Sequence, residues 1–171
     1  MADAGFLLGA VGWEHPQWQG DFFPDGLPED WRLAYYAHSF SCVLVPEPVW
    51  RGASPIVIAG WERDTPRHFR FLIDLGSGES RDGTSLLAET LGEKFAGCVS
   101  GRLPRGIHDR KVELVWLRQV ADLRRLALIL GDLRRFPGLV FLLEDGHSLR
   151  RLRDAATLLE LLGLSHGPVL V

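Results

Sequence analysis

The sequence predicts an α/β fold in which a parallel sheet is covered by helices. Two observations predict it: short apolar runs alternate with longer segments of helical period, and most of those short runs are apolar on both faces. Right-handed strand–helix units in series build either a doubly wound sheet or a barrel. Periodicity alone does not distinguish these two arrangements.

Six segments predict strands, because each is a short apolar run bounded by turn residues: 6–11, 41–45, 69–75, 113–117, 139–143 and 168–171. Segments of helical period lie between them: 28–39, 55–63, 86–95, 123–133 and 149–162. The clearest helix has Leu123, Leu126, Leu130 and Leu133 at spacings of 3, 4 and 3 residues, which is the apolar stripe of one helix face. The polar segments rich in Gly, Ser, Pro and Arg predict loops at 77–85 and 101–110.

Composition sets bounds on the function. The 171 residues are 46% hydrophobic, which predicts one domain over residues 1–171 with a substantial core. A formal charge of −3 disfavours nucleic-acid binding, which needs a basic face. No apolar run approaches the ~20 residues of a membrane span. Cys42 and Cys98 have neither a disulfide pattern nor metal-type spacing, so we expect reduced thiols in a cytoplasmic protein. All but two of the 19 basic residues are arginine, a bias expected of a GC-rich bacterial genome.

The N-terminal part of the chain carries a specific signature. Residues 12–24 read Gly-Trp-Glu-His-Pro-Gln-Trp-Gln-Gly-Asp-Phe-Phe-Pro, residues 33–37 read Leu-Ala-Tyr-Tyr-Ala, and residues 61–66 read Trp-Glu-Arg-Asp-Thr-Pro before Phe-Arg-Phe. These segments resemble the YecE-like family (domain of unknown function 72), which has a TIM-barrel fold and no assigned function. The resemblance is specific over residues 6–75; beyond residue 113 it rests on the order of predicted elements.

The resemblance implies an incomplete TIM-barrel-like parallel sheet of about six strands with surrounding helices. Family members have eight strands, so this chain is interpreted as a shortened and diverged member that stops two strands early. Such a barrel stays open unless a partner supplies the missing strands, and an open sheet exposes edges that associate. We therefore expect a homo-oligomer, specifically a homodimer.

The resemblance also implies that the family's strand-end residues are replaced, and in TIM barrels the working residues lie at these ends. The family has Val-Glu-x-Asn at strand two, lysine at strand three, Phe-Gln at strand four and Glu-Phe-Arg-His at strand five. The positions assigned to them here read Val-Leu-Val-Pro (43–46), Asp74, Trp-Leu (116–117) and Phe-Leu-Leu-Glu (141–144). Replacing Glu by Leu removes an acceptor, a charge and any proton transfer. We therefore interpret the chain as a non-catalytic binding or interaction module.

Four residues are candidates for binding a small-molecule ligand: Trp13, His15, Trp18 and Arg118. Two indoles and a histidine after the first strand would suit a sugar or a base ring. The alternative, that Trp13 and Trp18 pack the first loop onto the barrel, is favoured because large aromatics dominate core energetics. Arg118 would face an anionic ligand or pair with Glu144 or Asp145.

Four further residues follow predicted strands and have the ligand types of a divalent metal: Glu47, Asp74, Glu144 and His147. Brought together on one rim, they would support the alternative function, a metal-assisted enzyme acting on a sugar or sugar phosphate, isomerase-like or hydrolase-like. The favoured interpretation is that polar residues at strand ends serve as helix caps, as Asp145 and Ser148 would. No cofactor is predicted, and a divalent metal is the open alternative.

Overall fold

Seven strands form one sheet in a computed structural model that describes residues 4–78, 82–105 and 111–164. The strands are β1 (Gly5–Val11), β2 (Cys42–Val45), β3 (Arg70–Asp74), β4 (Phe95–Ser100), β5 (Leu103–Arg105), β6 (Lys111–Trp116) and β7 (Gly138–Glu144). Their order is β5-β4-β3-β2-β1-β7-β6, and every pairing is parallel except that of β4 with β5. The sheet curls into a nearly closed barrel, which confirms the predicted TIM-barrel-like α/β class.

Six α-helices surround the sheet in the described part of the chain: α1 (Glu29–Ser39), α2 (Glu47–Arg51), α3 (Pro55–Arg63), α4 (Thr84–Leu91), α5 (Leu123–Leu133) and α6 (Leu149–Leu161). Side-chain caps begin three of them. Ser54, Asp122 and Ser148 each accept a hydrogen bond from the backbone N–H three residues later, which satisfies a donor that the first helical turn leaves free. The predicted cap at Ser148 is confirmed.

Strand side chains alternate between two apolar layers. One cluster fills the inside of the barrel and contains Leu7, Cys42, Leu44, Leu72, Ala96, Val99, Phe141 and Leu143. The alternate strand residues, such as Val43, Ile73 and Val140, belong to a larger cluster shared with the helices. Because strands buried on both faces need apolar residues on both, this arrangement explains why most of the strands read as continuous apolar runs.

The last described strand returns to the first. β7 pairs with β1 along its length, from Gly5 opposite Leu139 to Ala10 opposite Glu144, which is the place that the final strand takes in a closed barrel. The predicted incomplete barrel is confirmed, but its gap does not follow the last described strand. The gap in the barrel, which we call the seam, lies between β5 and β6 in the middle of the chain. These two strands come within 8 Å of each other, but no backbone ladder joins them.

Two strands escaped the sequence analysis. β4 reads Phe-Ala-Gly-Cys-Val-Ser, whose small residues give a weak strand signal, and β5 is three residues long and contains Pro104. Consequently, Trp116 and Glu144 end the sixth and seventh strands of the described chain. The sequence analysis compared Trp116 and Glu144 with the residues that end the family's fourth and fifth strands. That comparison was wrong, because two strands before Trp116 had not been counted. The predicted strand at 168–171 lies outside the described residues.

A buried tyrosine links β1 to β2. The hydroxyl of Tyr36 on α1 accepts a hydrogen bond from the backbone N–H of Ala10 and donates one to the carbonyl oxygen of Cys42, each at 2.7 Å. Gly9 makes room for it, because a Cβ there would lie 2.7 Å from the hydroxyl and 1.9 Å from the Cys42 carbonyl oxygen. Burial raises the pKa of Tyr36, so the phenol keeps the proton that it donates.

Substituting Tyr36→Phe removes this bridge and leaves a buried N–H and a buried C=O unpaired. We expect the free energy of unfolding in urea to fall by about 1–3 kcal/mol. Tyr35→Phe is the matched control, because Tyr35 lies on the same helix, is half-exposed and makes no hydroxyl hydrogen bond in the described structure. Equal stability of the two variants would contradict the bridge.

Candidate functional site

The carboxyl ends of the parallel strands meet at one rim of the barrel, which we call the mouth. It comprises the loop after β1 (12–18), the β4–β5 turn (101–102), Trp116 at the end of β6, and the loop after β7 (145–148). Because β7 pairs with β1, the loops that follow these two strands lie side by side. Ligands of barrel proteins bind at this rim, so the mouth is the candidate site.

Two histidines join the loops after β1 and β7. His15 Nε2 lies 3.0 Å from the carbonyl oxygen of Gly12, and His15 Nδ1 lies 3.3 Å from His147 Nδ1. Because a carbonyl can only accept, His15 must donate through Nε2, so the Nδ1 of neutral His15 accepts from His147. A third contact joins the same loops, since Trp18 Nε1 donates to the His147 carbonyl oxygen at 3.1 Å.

The His15 imidazole favours its neutral form. Burial lowers its pKa from the ordinary 6.5, and the neighbouring His147 lowers it further, whereas the hydrogen bond to the Gly12 carbonyl opposes both effects. The ring is 7% exposed and stacks on Trp18, with centroids 3.9 Å apart. Protonating His15 would place two hydrogen-bearing Nδ1 atoms against each other if His147 kept its own proton.

The two tryptophans predicted as ligand candidates are core residues. Trp18 is fully buried among aromatic rings, including a parallel contact with Tyr36 at 6.5 Å between centroids. Trp13 packs edge to face on Trp61 of α3 at 5.4 Å. Both indoles are buried, so neither offers the mouth an open face for a sugar or a base. Their position agrees with the packing alternative, in which they hold the first loop on the barrel.

A second cluster bridges the seam. Arg102 Nη1 donates to Asp145 Oδ2 at 2.7 Å, and its guanidinium carbon lies 4.0 Å above the centre of the Trp116 ring. Trp116 Nε1 in turn donates to the carbonyl oxygen of Arg102 at 3.2 Å. The other carboxylate oxygen, Asp145 Oδ1, is buried and has no hydrogen-bond partner in the described structure. The cluster therefore contains one buried acceptor that lacks a donor in the described structure.

Glu144 is held by a counter-charge. It is fully buried and faces the helices, because it follows inward-facing Leu143 and lies opposite outward-facing Ala10. Both of its oxygens lie 3.2 Å from Arg151 Nη1, and Oε1 also accepts from the Gly146 N–H at 2.8 Å. A Cβ at Gly146 would lie 2.9 Å from Oε1, so a larger residue there would have to displace the carboxylate. The geometry assigns Glu144 a structural role.

The four candidate metal ligands do not gather. Asp74 follows outward-facing Ile73 on β3, so it lies on the inward face of the sheet, opposite to the face of Glu144. Glu47 accepts from Arg51 Nε at 2.8 Å, and Asp74 Oδ1 accepts from the N–H of Gly76 at 2.8 Å. Among the described residues, no group of three or more His, Cys, Asp or Glu side chains could hold a metal ion.

Arg118 pairs with neither of its expected partners. It lies exposed in the short turn after β6, and it makes no ion pair or hydrogen bond in the parts of the chain that the structure describes. Glu144 and Asp145 instead take Arg151 and Arg102 as their partners.

The sequence analysis missed Arg102 and Trp116 as site residues. Arg102 stood in a segment predicted to be a loop, and no pattern indicated that the turn after an unrecognised strand would face Asp145. One local signal existed. Arg102 follows Gly101 and has a positive φ of 68°, a conformation that is uncommon outside glycine and typical of tight turns.

A filled α/β barrel with polar side chains at its mouth defines a TIM-barrel-like protein with one candidate ligand site. A family model described as a protein of unknown function, DUF72, matches residues 7–139. The chain therefore belongs to the DUF72 family, and the resemblance to the YecE-like family is confirmed. Comparisons with curated proteins and with solved structures find no match. No helix in the described residues is long and apolar enough to cross a membrane.

The histidine pair predicts a pH-dependent stability. The pKa of His15 is lower in the folded chain than in the unfolded chain. Just below pH 6.5, the unfolded chain therefore binds a proton at His15 that the folded chain does not bind. Stability should therefore fall as the pH drops through 6.5, and should stop responding to His15 below its folded pKa. We expect His15→Gln to flatten this fall in urea unfolding measured between about pH 7.5 and pH 5.

His68 contributes a similar pH dependence in the wild type and in His15→Gln. Its pKa is lowered as well, mainly by burial and further by the positive charges of Arg70 and Lys94. Only the difference between wild type and His15→Gln therefore reports on the mouth. Parallel stability curves for the two proteins would contradict the assignment.

The Glu144–Arg151 pair predicts an asymmetric mutational effect. Arg151→Met leaves a buried carboxylate without its counter-charge, and we expect the free energy of unfolding to fall by about 2–4 kcal/mol. Adding Glu144→Gln to that variant removes the unpaired charge and should recover much of the loss. Arg150→Met is the control, because the Arg150 side chain is 91% exposed. A loss no larger than that of the control would show that Glu144 does not depend on Arg151.

Proposed function

We propose that this DUF72 protein is a non-catalytic binding module that takes a small hydroxylated ligand at the mouth of its barrel. The observation that carries the proposal is Asp145, a carboxylate with one oxygen fixed by Arg102 and the other buried without a partner in the described structure. A buried acceptor without a donor costs free energy, and a ligand that donates a hydrogen bond would recover it.

The charge of the site favours a neutral ligand. Arg102 compensates Asp145 across 2.7 Å, so the pair presents no net charge that a cation or an anion would need. A hydroxyl group can donate to Asp145 Oδ1 without disturbing that ion pair. The exposed side of the loop after β7 adds His147, whose Nδ1 donates to His15 and whose Nε2 can therefore accept from a second hydroxyl.

The site is also preorganised. The positive φ of Arg102, its stacking on Trp116 and the hydrogen bond from the Trp116 indole together hold the guanidinium in place. A side chain already held in its bound geometry loses little conformational entropy when the ligand arrives. This rigidity supports binding at the rim rather than capture by a loop that folds around the ligand.

Three other carboxylates near the mouth are engaged elsewhere, which supports a role without catalysis. Glu144 is buried against Arg151, Glu47 pairs with Arg51, and Asp74 bonds to its own loop. None of these three can therefore form an acid–base carboxylate pair with Asp145 on a bound ligand. Among these four carboxylates, Asp145 alone has a buried oxygen without a hydrogen-bond partner in the described structure.

We also propose that the protein works in the cytoplasm. Cys42 and Cys98 are both buried and outside any disulfide, and burial raises the pKa of the Cys42 thiol. A pair of inert, reduced thiols supports a reducing compartment.

The test is a ligand screen on the purified protein and one variant. We expect at least one sugar or polyol from a panel to raise the melting temperature of the wild type, because binding to the folded state stabilises it. Asp145→Ala should abolish that shift. Asp132→Asn is the matched control, since Asp132 is an exposed carboxylate on α5 with no partner in the described structure.

Two results would contradict the proposal. Binding that survives in Asp145→Ala would move the ligand away from the mouth. Chemical conversion of the bound compound during long incubation, followed by proton NMR of the small molecule, would overturn the non-catalytic part and return the enzyme alternative.

A further inference from the structure

A groove of about 510 Å³ runs between α1 and α3 on the outside of the barrel. Trp13 and Trp61 lie at its floor, and Leu33 contributes the α1 side. The opposite side contains Gly52 and Gly60, whose lack of side chains lets another backbone approach closely. No element in the described part of the chain covers this groove. Its shape suits a helix lying along it.

Apolar side chains stand exposed along the same groove. Ile56 is 84% exposed, Val57 47% and Val49 38%, and all three line it. Scattered apolar residues on a surface are ordinary, but a contiguous set beside an apolar floor marks an interaction site. The groove is therefore an unpartnered apolar surface.

The rim of the groove is acidic. Glu29 and Asp30 form the first turn of α1, and neither makes an ion pair within the described residues. The two other acidic residues of the lining are compensated, Glu14 by Arg32 at 2.8 Å and Asp64 by Arg63 at 2.9 Å. Two uncompensated negative charges therefore face the groove at its α1 end, and they favour a basic occupant.

A matching surface exists on the same molecule, on α5, the helix that connects β6 to β7. Arg124, Leu128, Gly131 and Arg135 recur at spacings of 4, 3 and 4 residues along α5 and the turn after it, so they share one face. Leu128 is 58% exposed, and Arg125 flanks it one turn earlier. These three arginines form no side-chain ion pair in the described structure. The face presents one apolar side chain surrounded by three arginines, a glycine and one exposed carboxylate, Asp132, so its net charge is positive.

We propose that the α1–α3 groove of one molecule docks the α5 face of a second copy of this chain. Leu128 would enter beside Ile56 and Val57, and Arg124 and Arg125 would face Glu29 and Asp30. The contact joins two different surfaces, so it is heterologous and builds a ring or a growing chain. This gives the expected homo-oligomer an interface on helices instead of on a sheet edge.

The experiment is light scattering on the full chain over about a hundredfold range of concentration. We expect the average mass of the wild type to exceed the monomer's 19.1 kDa and to rise with concentration. Glu29→Lys/Asp30→Lys and Arg124→Glu/Arg125→Glu should each weaken association at least about tenfold, because each brings like charges together. Mixing the two variants should restore association, since each supplies the surface that complements the other.

Controls keep the result specific to these surfaces. Glu89→Lys on α4 and Arg150→Glu on α6 change exposed charges elsewhere and should leave the association unchanged. Circular dichroism checks that each variant is folded, and if the lysine variant does not fold, Ile56→Glu tests the same groove at an exposed position. Charge reversals that leave the association unchanged would overturn the proposal. A wild type that stays monomeric at every concentration would also overturn it, and the groove would then belong to a different basic partner.

Discussion

The parallel pairing of β7 with β1 is the constraint on which the rest of the structure depends. It brings the last described strand beside the first, so the barrel nearly closes although the chain has only seven described strands. It also sets the loop after β7 against the loop after β1. The histidine contact and the indole hydrogen bond of Trp18 follow from that neighbourhood. With β7 elsewhere in the sheet, Asp145 and His147 would not lie beside His15.

Much of the fold could be predicted because its elements have strong local signals. The first three strands are buried on both faces and contain few polar residues, and α5 carries a regular leucine stripe. β4 and β5 could not be predicted from such signals, since small residues in β4 and a proline in β5 give no periodic pattern. Because these two strands were missed, the sequence analysis placed the gap in the barrel at the end of the chain instead of between β5 and β6. It also gave every later strand the wrong number. The error was one of counting, and pairing order is a long-range property that local patterns do not contain.

The candidate site was predicted in part, and the difference has a physical cause. Strand-end position singled out His147 as a candidate ligand, and the structure places His147 and Asp145 together in the loop after β7. It could not tell which face of the sheet a strand-end residue occupies. Glu144 points outward to Arg151, whereas Asp145, one residue later, reaches Arg102 across the seam. Arg102 could be recognised as a site residue only from the structure, in which the antiparallel pairing of β4 with β5 places their connecting turn at the mouth.

Proton NMR on isotope-labelled protein tests the central claim most directly. If β1 lies between β2 and β7, nuclear Overhauser effects will connect the backbone of residues 6–10 with that of both 42–44 and 140–144, and the Trp18 indole proton will contact His147. The account predicts all of these contacts. Contacts from residues 140–144 to β3 or β4 in place of β1, as in an open sheet of different strand order, would contradict it and would remove the basis for the shared mouth.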